Sequence, residues 1–234
     1  GWKVQTSFFF KKNKELKYIR LSLKKGYTPT TEDKKLFVSI LKRVNYDGEH
    51  VLRNLPPKVM SDIKKIFSSD KIHLKLVQDN TAKKRIAELV ELGDKIIFKD
   101  KGFVSELVKW IRDSSTSRHD GFLTSYLGFP RSIRRYAASI LLNLDTKTIK
   151  MMAKLDKEKI ASSSAIGIIY TKNENPETWI EVGSLYQLAG LTAASEGIYF
   201  GARGVLIETG ELYRDLASIL KISGRTEMMF RAGY

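Results

Sequence analysis

Residues 173–234, NENPETWIEVGSLYQLAGLTAASEGIYFGARGVLIETGELYRDLASILKISGRTEMMFRAGY, hold the segment whose reading decides the fold. Asn175 suits a helix N-cap, and Pro176 suits the first helical position, where its missing N–H has no partner to lose. Glu177 then sets negative charge on the positive end of the helix dipole. From Trp179 to Ser195 the residues are mainly apolar or small: Ile180, Leu185, Leu188 and Leu191 carry bulk, while Gly183, Ala189, Gly190, Ala193 and Ala194 let neighbouring backbone approach. A helix apolar on all sides is either a core helix or a membrane span. Glu181 and Gln187 interrupt the run, and its apolar pieces fall short of the roughly 20 residues needed to cross a bilayer. The pattern therefore predicts a buried core helix over 177–196, stopped by Gly197 in a left-handed conformation. A Gly-rich loop at 201–205, an amphipathic helix over 211–220 and a terminal strand over 228–234 should follow.

Working outward, residues 1–25 alternate and predict a hairpin of strands 3–10 and 16–23 with a turn at 12–14. Phe8, Phe10, Ile19, Leu21 and Leu23 should face inward and the Lys and Arg residues outward. Those cations read either as guards on a solvated sheet edge or as a nucleic-acid-binding ribbon on which Phe9 and Tyr18 stack bases. Thr30 or Thr31, followed by Glu32 and Asp33, opens a helix over 30–43 with Leu36, Phe37, Ile40 and Leu41 on its apolar face. A helix ending at Phe67, with Val59, Ile63, Ile66 and Phe67 inward, precedes a strand over 72–77. Asp79 or Asn80 caps a helix over 81–97 that buries Ile86, Leu89, Val90 and Ile97. A further helix over 102–112 puts Phe103, Leu107 and Trp110 on one side. The polar loop 112–122 turns at Asp120 and Gly121, and Arg131, Arg134 and Arg135 cluster in 128–135, either as solvated cations at a helix start or as a basic rim for an anionic donor or acidic partner. A charged helix over 144–159 and an apolar strand over 165–170 complete the chain.

The composition excludes whole classes of chemistry. The chain has 234 residues, no Cys and a formal net charge of +15. Thiolate catalysis, disulfides and Cys-based metal centres are out. His50, His73 and His119 have no metal-ligand spacing, and neither G-x-G-x-x-G nor G-x-x-x-x-G-K-[ST] occurs. No acid–base dyad stands out, so no residue is assigned a catalytic role. With no signal-peptide pattern and no span, a cytoplasmic protein without a membrane partner is expected. The positive charge calls for an anionic partner such as a phosphorylated cofactor, nucleic acid or an acidic surface.

Several segments, in order, resemble one family. The Trp179-led helix, its stop from Ala193 to Gly197, the stretch Glu208 to Arg214 and the final Arg231-Ala232-Gly233-Tyr234 resemble the C-terminal half of the nitroreductase-like FMN-dependent oxidoreductases, especially their divergent Acg-type branch. The run Phe103-Val104-Ser105-Glu106-Leu107-Val108-Lys109-Trp110-Ile111-Arg112 is similar to an F-x-x-E-L-x-x-W-I-R element of that branch, and Trp2 resembles the residue that leads its hairpin. The resemblance implies an α+β, nitroreductase-like fold. An antiparallel sheet including 72–77, 165–171 and 227–234 would be wrapped by helices around the 177–196 helix, as one domain over 1–234 with 1–28 as an N-terminal hairpin extension. It further implies a homodimer with FMN at the subunit interface, passing hydride from NAD(P)H to a nitro, quinone or similar acceptor.

On this resemblance Arg43 and Asn45 hold the phosphate and ribityl chain, the backbone of Gly204 and Val205 meets the ring edge, and Arg118 or Arg203 adds a cation. Arg43-Val44-Asn45-Tyr46-Asp47 departs from the family's Arg-x-Ser-x-Arg/Lys pattern at Asp47, where a cation belongs, so Arg53, Arg118 or Lys42 would have to compensate. Two other functions fit the same residues: a flavin-free, degenerate member of the fold with a binding or storage role, and a basic nucleic-acid-binding protein acting through 1–25 and 128–135.

Overall fold

The computed structural model describes residues 1–10, 16–51, 53–113, 115–124 and 131–234. The chain opens with a hairpin, β1 (Trp2–Phe10) and β2 (Leu16–Lys25), followed by helices α1 (Thr31–Ser39) and α2 (Pro57–Ile66). Strand β3 (Ile72–Val77) leads to α3 (Asn80–Ile97) and α4 (Lys101–Lys109), then to two short strands, β4 (Ile111–Arg112) and β5 (Phe122–Leu123). A 3-10 turn (Arg134–Tyr136) opens α5 (Ala137–Leu142), and α6 (Thr146–Ala161) precedes β6 (Ala165–Thr171). The C-terminal part comprises α7 (Pro176–Ala194), β7 (Tyr199–Arg203), α8 (Val205–Glu208), α9 (Leu212–Leu220) and β8 (Arg225–Gly233).

The caps explain where the helices begin. Asn175 Oδ1 accepts from the Thr178 N–H at the start of α7, and Asp79 and Asp145 do the same for Ala82 and Thr148. Thr30 and Asp33 form a reciprocal capping box at α1. Gly197, at φ +73°, reverses the chain after α7, and the Ile198 N–H returns to the Ala193 carbonyl.

A four-stranded antiparallel sheet in the order β3-β6-β8-β7 divides the core into two layers. Alternation along β8 sends Phe230 and Ala232 to one face, against Ile63 of α2 and Val182 and Ala189 of α7, while Met229 joins Ile86 and Val90 of α3, Ile160 of α6 and Leu216 of α9 on the other. Phe230 lies over Gly167 of β6 and stacks on Phe200 of β7 at 4.3 Å between ring centroids. The helix-wrapped antiparallel sheet expected from the sequence is thus present, with β7 as its fourth strand.

Four expectations change. Residues 201–205 are not a Gly-rich loop: 199–203 pair with β8 as an edge strand, because one ladder edge of β8 is otherwise unfilled. The first helix ends at Ser39, where the N–H groups of Lys42 and Arg43 both turn back to its carbonyl. Phe37, Ile40 and Leu41, expected inside, are 74%, 54% and 93% exposed. The helix α7 buries Thr178, Val182, Ala189, Gly190, Ala193 and Ala194 against the sheet, so burial on every side is met along that face only; Trp179 is 51% exposed. The hairpin strands pair as expected, but Val4, Leu21 and Leu23 on their shared apolar face are exposed, because β1 and β2 form a separate two-stranded sheet. Its predicted turn at 12–14 lies outside the described residues, as do 128–130 of the arginine cluster.

Candidate functional site

The site is built where the segment after α1 runs along the free edge of β7. Asn45 forms a parallel bridge to Phe200, the Tyr46 N–H donates to the Phe200 carbonyl at 2.8 Å, and Asn45 Oδ1 accepts from the Ala202 N–H at 2.8 Å. Gly201 permits this approach, since a Cβ there would collide with the Tyr46 carbonyl oxygen. Arg43 lays its methylenes beside Gly190 of α7, and its charge reaches the Tyr186 hydroxyl. Gly204 follows β7 directly and opens the one-turn α8, whose first N–H groups have no acceptor within the helix. The edge of β7 thus forms a ledge with a segment more than 150 positions away: Asn45 bonds to Ala202, Asp47 pairs with Arg203, and Gly204 and Val205 follow at the strand's end; Arg43 turns instead to α7.

Arg118 does not join them through any contact in the described residues. It pairs with Asp120 at 3.5 Å, in a loop that Arg112 also holds by two bonds to the same carboxylate. Two cavities among the described residues lie elsewhere, one of about 450 Å³ between α1, α2 and α7 and one of about 530 Å³ between α4, α5 and the start of α6.

Beneath the ledge lies a charged cluster that sequence reasoning only touched. The Asp47 carboxylate is ion-paired to Arg203 through Oδ1 and to Lys159 through Oδ2, the latter at 3.1 Å, with Arg231 Nη1 at 3.9 Å. Asp156 lies 3.5 Å from Lys159 and 3.9 Å from Arg203. The cations that compensate Asp47 are thus Arg203, Lys159 and Arg231, not Arg53, Arg118 or Lys42. Arg53 instead stacks on the Tyr234 ring. Arg231 is wholly buried: its Nε donates to Ser163 Oγ at 2.8 Å and its Nη2 to the Gly48 carbonyl at 2.9 Å. The Ser163 carbonyl in turn accepts from the buried Lys83 at 2.8 Å.

Titration follows from this crowding. Burial alone would raise Asp47, but Arg203 and then Lys159 outweigh it and hold its carboxyl below the usual range. Burial, together with Asp156, pushes Asp94 of α3 up to about 7 against the pull of Arg203 and Lys159. Burial, assisted by Arg231 and Arg203, pushes His50 down to about 4, so its ring, stacked on Tyr46, is neutral at physiological pH. Burial and Arg203 lower Arg231 to about 10, leaving it protonated. Four buried atoms here have no hydrogen-bond partner: Asp94 Oδ2, His50 Nε2, Arg203 Nε and Arg231 Nη1. Alternation in β8 could have pointed to Arg231, since its neighbours Phe230 and Ala232 face the opposite layer. Lys159, Asp94 and His50 carried no local signal.

The donor set fits a flavin in part. Arg43, the Asn45 amide nitrogen and the N–H groups opening α8 suit ring-edge and hydroxyl acceptors, whereas the ionised Asp47 is the wrong charge for a phosphate.

No family model and no curated protein sequence matches this chain. Solved structures do. The FMN-dependent nitroreductase NfnB from Mycobacterium smegmatis, solved in complex with NADPH, superposes with a TM-score of 0.54 at 13% identity, covering 86% of this chain and 88% of its own. Oxidized iodotyrosine deiodinase bound to FMN and 3-iodo-L-tyrosine gives 0.51 at 11% identity, covering 85% and 89%. A nitroreductase with bound FMN from Bacteroides fragilis gives 0.51 at 12% identity, covering 85% and 87%. At these identities the likeness is one of architecture, and the chain has the nitroreductase-like fold.

Proposed function

We propose that this protein is a flavin-dependent oxidoreductase that takes hydride from NAD(P)H and passes it to a nitro, quinone or similar acceptor. The observation carrying this reading is the seating of residues 43–47 along β7, which brings Asn45 to Ala202 and Asp47 to Arg203 beside the strand's exit at Gly204. A bound flavin would supply the hydride chemistry, as the cofactor does in such enzymes. The chain's own residues supply the rest. Gly204 and Val205 present backbone N–H groups toward the ring edge, Arg43 and the Asn45 amide hold the polar tail, and Arg203 brings positive charge to the adjoining strand end. Asn45 is already tied by its carbonyl to Ala202, so its amide direction is set before any ligand arrives.

Asn45 on the ledge is exposed in one chain, and so are the apolar α1 residues Phe37 and Val38 and Trp179 of α7. Both features support a homodimer in which a second copy closes the site. The ordered resemblance in 103–112 and 231–234 supports placement in the Acg-type branch. The protein purified under gentle conditions, then denatured, should release a yellow chromophore with FMN-like absorption, and NADH or NADPH should bleach the native protein under anaerobic conditions. A colourless protein that takes up no added flavin would reject the reading in favour of a flavin-free member of the fold, an outcome that the pairing of Arg203 with Asp47 favours.

A further inference from the structure

We infer that Asp47 closes the anion end of this site, so that the ledge accepts a ring carrying a neutral polyol rather than one carrying a phosphate. This rests on the flavin reading above and deepens it by naming the ligand class. An anion seat needs cations whose charge is not already taken, and each cation beneath the ledge is committed. Arg203 is paired with Asp47 and approached by Asp156, and Lys159 faces the same two carboxylates. Arg231 lies wholly buried below them, held by Ser163 and Gly48. Freeing Arg203 for a phosphate would leave Asp47 ionised beside the incoming anion and would thin the countercharge over buried Arg231, a double electrostatic penalty in a low-dielectric setting.

Neutral hydroxyls meet no such obstacle. The exposed Asn45 amide can donate to a hydroxyl while the Arg203 guanidinium keeps its Nη2 on Asp47. Arg43, which pairs with no carboxylate among the described residues, lies half-buried against α7 beside Gly190, so its guanidinium offers a dianion little countercharge. Burial does not neutralise Asp47, because Arg203 and Lys159 hold it ionised.

The test compares riboflavin and FMN, by flavin fluorescence, on the wild-type chain and on Asp47→Asn, with melting scans in inorganic phosphate against chloride at equal ionic strength. The wild type should bind the two flavins within about fivefold of each other, and Asp47→Asn should gain FMN affinity about tenfold or more with riboflavin little changed. A wild-type preference for FMN of about a hundredfold would overturn the inference while leaving the flavin reading intact. If neither protein binds either flavin, the flavin reading fails on its own; phosphate raising the melting temperature of Asp47→Asn alone would still uphold the closed seat, and an equal response or none in both would sink it. Should Asp47→Asn not fold, the wild-type ratio decides by itself.

Discussion

Asp94 and His50 sit within one charged cluster and titrate in opposite senses. Asp94 has its carboxyl raised to about 7 by burial and Asp156, from an ordinary value of 3.8. Between these values the unfolded chain loses a proton that the folded chain keeps, so its contribution to stability is complete below about pH 4 and is lost as pH rises to about 7, by at most about 4 kcal/mol. His50, lowered from 6.5 to about 4 by burial and then Arg231, works the other way: its contribution is present above 6.5 and is lost as pH falls toward 4. The two oppose each other over the acid range and separate only above it. Urea unfolding from pH 4 to 8 should therefore show Asp94→Asn gaining on the wild type as pH rises, with the largest difference near pH 8. His50→Gln should lose the wild type's gain between pH 4 and 6.5. A pH-independent difference in either variant would remove that residue from the account.

Among the elements, the seam between residues 43–47 and β7 depends on the missing side chain at 201. Gly201→Ala drives a methyl into the Tyr46 carbonyl, which is backbone and cannot swing away as a side chain would. The expected cost is about 1–3 kcal/mol in denaturant unfolding. Flavin uptake should fall with it, since Arg43 and Asn45 are displaced together. Gly183→Ala, on the open face of α7 with nothing within 4 Å of the added methyl, is the matched control and should be neutral or slightly stabilising. The helix caps at Asn175 and Asp79 were legible because a cap is a local bond between neighbours in sequence. The edge strand β7 was not, since its pairing partner β8 begins more than twenty residues later and Gly201 and Gly204 carry no strand signal.

For the whole molecule the question is what covers the apolar surface that one chain leaves open. Leu41 and Phe37 of the α1 region are among its most exposed large apolar residues, at 93% and 74%. Scattered apolar residues on a surface are ordinary, but a cluster beside the half-covered α7 supports the proposed interface with a second copy. Leu41→Asp should shift the sedimentation profile from dimer toward monomer and lower flavin retention, while far-ultraviolet circular dichroism stays unchanged. A wild-type chain that sediments as a monomer would reject the symmetric arrangement. Among the described residues no helix is long and apolar enough to cross a membrane, and no group of His, Asp and Glu is placed to hold a metal ion.

The sequence alone determined the fold class, the capped and Gly-stopped helix over 177–196 and the strands at 72–77 and 165–170 and at the chain's end; set beside the family pattern it resembles, it also exposed the conflict of charge at Asp47. Each of these is written in neighbouring residues, as periodicity, capping or the sign of a side chain. Tertiary structure alone decided which cations answer Asp47, that Arg231 is buried beneath it, that Asp94 and His50 border the same cluster, and that 199–203 form an edge strand. Those facts arise from segments far apart in sequence meeting at one sheet edge, where burial and electrostatics depend on distances that no local pattern encodes.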